Sequence, residues 1–263
     1  MSRIASRFAE LAARQEKALV LFVTAGDQPL DQLPSLLECL EDAGADLIEV
    51  GIPFSDPFGE GKTIQASSQR ALDAGAPPLA ILDTLAKARK AVPHVTMGYY
   101  NTVLRYGLQE FARRASEAGS SGTIISDLVP DEGDAWCQAS AEFGMDTIFL
   151  AAPTSTEARV DEVARRSTGF VYAVSRTGVT GAGQEAPPEV SDLVRRIKVR
   201  TDKPVCVGFG ISRPEHVRMV CQVADGAVVG SSLVDLLHSE WNDGRGAASI
   251  HAYVRSLKEA TRP

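Results

Sequence analysis

Cysteine, histidine and long apolar runs are all scarce in this sequence. Four cysteines and four histidines are spread through 263 residues. Cys39, Cys137, Cys206 and Cys221 form no CxxC pair, which argues against zinc or redox chemistry and suits reduced, mostly buried thiols. His94, His216, His238 and His251 form no ligand pattern, so no metal site is expected. No apolar run approaches the ~20 residues that span a bilayer. The N-terminal stretch carries Arg3, Arg7, Glu10, Arg14, Glu16 and Lys17 and so lacks the apolar core of a signal peptide. A cytoplasmic location without a membrane partner is the expectation. Positive charge is not in excess either. The formal net charge is −7, which would repel a phosphate backbone, so nucleic acid is not an expected partner. The GxGxxG of a dinucleotide fold is missing from the first strand-to-helix turn, Thr24-Ala25-Gly26-Asp27. Ser231-Ser232 lacks the surroundings of a nucleophile elbow.

Short runs rich in Val, Ile and Leu are plentiful: Ala18–Thr24, Asp46–Val50, His94–Gly98, Thr123–Ser126, Thr147–Leu150, Phe170–Val174, Pro204–Val207 and Gly226–Val229. Most are continuously apolar rather than alternating, the pattern of strands covered on both faces. Amphipathic stretches separate them: Leu30–Ala43, Leu79–Ala91, Leu108–Ala118, Asp131–Phe143, Thr156–Arg166, Val190–Val199, Arg213–Val223 and Ser231–His238. Several stop at glycine, as helices commonly do. The alternation predicts parallel βα units. At this length it predicts one (β/α)₈ TIM barrel, of the α/β class, occupying 1–263 as a single domain. Residues 2–14 are predicted as an extra helix across the barrel bottom and 246–260 as a last outer helix. Two long Gly/Pro-rich loops, Ile52–Lys62 and Ser175–Pro188, follow the runs ending at Val50 and Val174. Both fall at carboxyl ends of strands, where barrels keep their chemistry.

Three features carry chemistry. Glu49 lies in a run otherwise made of Leu, Ile and Val, and a carboxylate there is costly unless it is paired or functional. Pointing into the barrel mouth, it would have a raised pKa suited to acid–base work; at a strand end facing water, it would be ordinary. The following loop adds Asp56 and Glu60. Glycines recur after the last three runs, at Gly181, Gly208, Gly210 and Gly230, the last followed by Ser231. Backbone amides at such turns and at a helix N-terminus cradle phosphate well, although any one of these glycines would equally serve a tight turn. Phe22, Met97, Ile124, Tyr172 and Phe209 end strands and can hold a flat ring. The Tyr172 hydroxyl would be within reach of a ligand or of Glu49.

Taken as a string, Glu49-Val-Gly-Ile-Pro-Phe-Ser-Asp-Pro57 resembles the Glu-x-Gly-x-Pro-Phe-Ser-Asp-Pro hallmark of the tryptophan synthase α family. Further motifs follow in order: Phe22-Val-Thr-x-Gly-Asp27, Thr63-Ile-Gln65, Tyr99 and Asn101, Asp127, Tyr172-x-x-Ser-Arg-x-Gly-Val-Thr-Gly181, Gly208-Phe-Gly-Ile211 and Gly230-Ser231. The resemblance runs from about Arg7 to about Leu237. It implies a lyase that cleaves indole-3-glycerol phosphate to indole and glyceraldehyde 3-phosphate, within an αβ assembly of L-tryptophan biosynthesis. It implies that Glu49 and Glu60 are catalytic together with Tyr172, and that phosphate is held at Gly181, Gly210, Gly230 and Ser231. The indole pocket would be Phe22, Met97, Ile124 and Phe209. Asp56, Arg176 and Thr180 would act in loop closure, with Thr180 meeting Glu60. Pro53, Phe54, Asp56, Asn101 and Pro130 would face a β subunit. That partner would carry pyridoxal phosphate, and this chain would carry no cofactor.

One position departs from the family pattern. The family has Asp where this chain has Glu60, and Ala-Asp-Gly-Pro where it has Gly59-Glu-Gly-Lys62. Glu keeps the charge and adds one methylene, roughly 1.5 Å of reach. Lys62 would be placed to pair with Glu60 or Asp56. A regulatory subunit that activates its partner while cleaving little, or a free-standing indole-releasing lyase, are the alternatives that this substitution and the sequence leave open.

Overall fold

The computed structural model describes residues 1–174, 186–208 and 210–262. Its strands are β1 (Ala18–Thr24), β2 (Leu47–Gly51), β3 (His94–Gly98), β4 (Ser120–Ile125), β5 (Asp146–Ile148), β6 (Leu150–Ala151), β7 (Val171–Val174), β8 (Val205–Gly208) and β9 (Gly226–Val229). They form one parallel sheet in the order β5-β4-β3-β2-β1-β9-β8-β7-β6. β5 and β6 are two halves of the predicted Thr147–Leu150 run, separated by Phe149. The first half pairs with β4 and the second with β7. One interrupted strand therefore closes the ring, and eight chain passages make a TIM barrel, as the alternation predicts.

The continuous apolar character of the strands has a direct cause. In β1, Val20 and Phe22 join the packing inside the barrel, while Leu19, Leu21 and Val23 pack outward against the helices. With both faces covered, neither can be polar. Among the described residues no helix is long and apolar enough to cross a membrane.

The helix Arg3–Ala13 closes the bottom of the barrel. Ile4, Phe8 and Leu11 recur at helical spacing and enter the inner packing, with the Phe8 and Phe170 rings 6.1 Å apart. Beside this plug lies Asp46, whose side chain is fully buried. It accepts from the Leu19 amide at 2.7 Å, from Arg7 at 2.7 Å and from Lys258 at 2.8 Å. Lys258 also pairs with Glu16. Both ends of the chain are thus tied to the foot of β2.

Two helices were not expected from the sequence. Lys62–Asp73 begins where the loop after β2 ends, and Tyr100–Tyr106 follows β3. Others are shorter than their periodicity suggests. The stretch Leu79–Ala91 is helical only over Pro78–Leu85, and Asp131–Phe143 only over Asp134–Glu142, after a 3₁₀ turn at Pro130–Glu132.

Candidate active site

The parallel register brings Phe22 opposite Glu49 and Glu49 opposite Val95. Glu49 faces the barrel interior and is completely buried. Neither of its carboxylate oxygens has a hydrogen-bond partner among the described residues. Burial first, and then the Glu60 carboxylate, push its pKa up to about 8. Glu49 therefore does not point to water, and it holds its proton at neutral pH.

Above it opens a cavity of about 290 Å³ lined by Phe22, Glu49, Glu60, Met97, Tyr172, Gly210, Gly230 and Ser231. The loop after β2 carries Glu60 to this cavity. Pro57 accepts from the Glu60 amide at 2.9 Å and Gln65 Nε2 donates to the Glu60 carbonyl at 2.8 Å. Below the loop the Phe54 ring stacks on Tyr99 at 4.7 Å, and the Gly59 amide donates to the Tyr99 hydroxyl at 3.3 Å. Burial raises the Glu60 pKa as well. Two carboxyl groups with raised pKa values thus share one apolar pocket, an arrangement suited to moving a proton and holding a charge in alternation.

Tyr172 is buried by the inner face of β7. Its hydroxyl lies over Gly208, where an added Cβ would stand 2.4 Å from it. No hydrogen bond joins Tyr172 to Glu49, so the expected reach toward Glu49 is not found. Burial, followed by the nearby Glu49 and Glu60, keeps the phenol protonated well above its ordinary value. The glycine at 208 is a steric requirement of this packing. Gly208→Ala is expected to drive the Tyr172 ring into the cavity and to destabilise the fold by about 1–3 kcal/mol, which thermal melts check.

The glycine-rich part of the cavity lining has features that suit an anion. Gly210 takes φ +73°, in the left-handed region that favours glycine. Gly230 precedes the helix Ser231–Glu240 without a side-chain cap. The first-turn amides of such a helix have no intrahelical acceptor and carry the positive end of its dipole.

The other predicted residues fall as follows. Met97 and Phe22 line the cavity, but Ile124 is buried in the inner packing away from its wall. Arg176, Thr180, Gly181 and Phe209 lie outside the described residues. Asp56 is exposed and accepts from the Ser55 hydroxyl at 2.7 Å. Asn101 is exposed, Phe54 is half-buried, and Pro53 and Pro130 are buried. Lys62 is exposed at the first position of its helix and pairs with neither Glu60 nor Asp56 among the described residues. Ile64, Ser212 and Val228 also line the cavity and were given no role from the sequence, and so do Ile211 and Ser232, which belong to the glycine segments read there. Ile64 was within view, between the motif residues Thr63 and Gln65.

Known proteins resemble this chain over nearly its whole length. A family model described as "Tryptophan synthase alpha chain" matches residues 8–262, further toward the C-terminus than the motifs reach. A tryptophan synthase alpha chain of Geobacter sulfurreducens is 46% identical over 99% of both chains. Another, from Geobacter sp. strain M21, is 48% identical over 98% of this chain and 97% of the relative. A solved Mycobacterium tuberculosis tryptophan synthase chain superposes with a TM-score of 0.91 at 36% identity, covering 100% of this chain and 99% of that one. The tryptophan synthase subunit alpha of Legionella pneumophila gives 0.90 at 33% identity, over 99% and 98%.

Proposed function

The chain belongs to the tryptophan synthase alpha chain family, and from that premise we propose that its cavity performs the retro-aldol cleavage of indole-3-glycerol phosphate with Glu49 and Glu60 as the working carboxyl groups. The family's alpha chain is a lyase for this half-reaction and works with a beta chain. The observation that carries the residue assignment is Glu49: buried, unpartnered among the described residues, and protonated at neutral pH.

Indole is a poor carbanion, so its C3 must be protonated before the side chain can leave. Glu49 gives its proton to C3, and the ring becomes iminium-like with positive charge on nitrogen. Glu60 stabilises that charge from the rim of the pocket. The Glu49 carboxylate then takes the proton of the hydroxyl on the carbon attached to C3. As the C–C bond breaks, its electron pair restores the indole ring and the alcohol carbon becomes the aldehyde of glyceraldehyde 3-phosphate. Glu49 ends protonated, as it began. Phosphate is held at Gly210, Gly230 and Ser231, and Phe22, Met97 and Tyr172 flank the ring.

The rim supports docking of a beta chain. Phe58, Leu104 and Val129, which are 78%, 52% and 37% exposed, follow β2, β3 and β4 at the same end of the barrel. Exposed apolar groups on adjoining loops and on the helix Tyr100–Tyr106 suit a protein partner. On this reading pyridoxal phosphate belongs to the partner, and the enzyme is cytoplasmic.

Indole release from indole-3-glycerol phosphate, with and without the beta chain, is the direct test. Absence of turnover in both conditions would end the lyase reading in favour of a regulatory subunit. A second result probes the carboxyl pair. Glu60→Gln is expected to slow cleavage about 10²-fold. It should also lower the pKa of Glu49, because the raising influence of a second carboxylate is gone. The alkaline limb of the kcat/KM profile then moves to lower pH. A limb that stays in place would show that the two groups are not coupled.

A further inference from the structure

The helix Ala247–Glu259 turns Ile250, Val254 and Leu257 toward the core. From the same helix Tyr253 reaches back to the phosphate cradle. Its hydroxyl lies 3.0 Å from the Ser212 carbonyl and 2.8 Å from Ser232 Oγ, which in turn is 3.2 Å from the Ile211 carbonyl. Two hydroxyl protons serve these three contacts. Ser232 donates to the Ile211 carbonyl, and Tyr253 donates to the Ser212 carbonyl or to Ser232 Oγ. The Tyr253 hydroxyl thus lies against both the turn at 210–212 and the first turn of the helix Ser231–Glu240. On its other side Ser212 is held by its amide, which donates to His216 Nδ1 at 3.3 Å. Ser232 is therefore committed within the protein, whereas Ser231 is exposed beside it.

The cradle consists of backbone groups on two separate segments, together with the exposed Ser231 hydroxyl on one of them. Charge-assisted hydrogen bonds to an anion depend steeply on donor distance and angle, and Gly210 gives one of those segments extra conformational freedom. Something must hold the segments at the spacing of a phosphate group. We propose that Tyr253 is a positioning residue that sets this spacing, and through it the affinity for the phosphate end of the ligand rather than for the ring end. This rests on the reading that phosphate sits at Gly210, Gly230 and Ser231.

The test uses Tyr253→Phe, which keeps the ring and removes the hydroxyl, and Ser232→Ala, in the full chain. Calorimetric titrations measure inorganic phosphate, glycerol 3-phosphate and, separately, indole. Each variant is expected to bind the two phosphate ligands about fivefold more weakly, the ratio worth one net hydrogen bond, with indole affinity held within twofold of the parent (roughly the scatter of one weak contact). Ser231→Ala serves as the control for the site itself. Unchanged phosphate affinity in Tyr253→Phe, alongside weakened affinity in Ser231→Ala, overturns the inference and leaves the site in place. Unchanged affinity in all three variants overturns the site reading. Equal losses for phosphate and indole would make Tyr253 a general stabiliser and would also overturn the inference.

Discussion

Glu49→Gln is expected to lower the turnover of indole-3-glycerol phosphate by about 10²–10⁴-fold, the range supplied by one positioned acid–base group. The amide keeps the shape of the side chain but can neither give a proton to C3 nor take one from the hydroxyl. Phosphate-ligand affinity should persist, because the cradle is built on the segments after β8 and β9, not on β2. The pH dependence follows from the raised pKa. Glu49 titrates near 8 in the folded chain against an ordinary 4.5, so the acid form prevails at neutrality and activity falls as pH rises through about 8. Stability follows the same sign. A raised carboxyl contributes fully below its ordinary value, and that contribution is lost as pH climbs through the folded value. Glutamine stays neutral, so the variant should resist heat better than the parent on the alkaline side. Indole-release assays and thermal melts across that pH range measure both effects. Turnover that survives in Glu49→Gln would remove the acid–base assignment.

Asp46→Ala should be the most damaging change away from the cavity, costing about 3–5 kcal/mol, the usual result of removing one partner of a buried ion pair. Arg7 and Lys258 would both lose a carboxylate, and the Leu19 amide would lose its acceptor. Domains have only about 5–15 kcal/mol in total, so the loss would appear as a large fall in the denaturation midpoint, read from a urea titration. An unchanged midpoint would mean that the network merely occupies the site.

The barrel was legible in the sequence because each strand is covered on both faces and so reads as a short apolar run. Glu49 was legible for the same reason: a carboxylate in such a run has no cheap place to go. The helices that were missed lack that contrast. Lys62–Asp73 buries Ile64 and Ala71 together with Ser67 and Ser68, so half of its inward face is small and polar. The Ser67 hydroxyl finds Thr24 at 2.7 Å and the Ile64 carbonyl at 2.9 Å. Tyr100–Tyr106 is rich in aromatic and β-branched residues of modest helix propensity. Its first amide is held by Asp127 at 2.7 Å, a contact made 27 residues away. Tyr253 was invisible for a related reason. A half-buried aromatic on an outer helix looks like ordinary packing until the fold shows where its hydroxyl ends.

The knot at Asp46 also sets a timetable. At ribosomal speeds Lys258 emerges roughly ten to fifty seconds after Arg7. β9, which must pair with β1 to seal the wall, arrives almost as late. For that interval the nascent chain presents β1 as an open, apolar strand edge, prone to pairing with other chains. The barrel cannot close link by link as it is made. It closes only once β9 and Lys258 have emerged, and in the cell its yield depends on what shields that edge in the meantime.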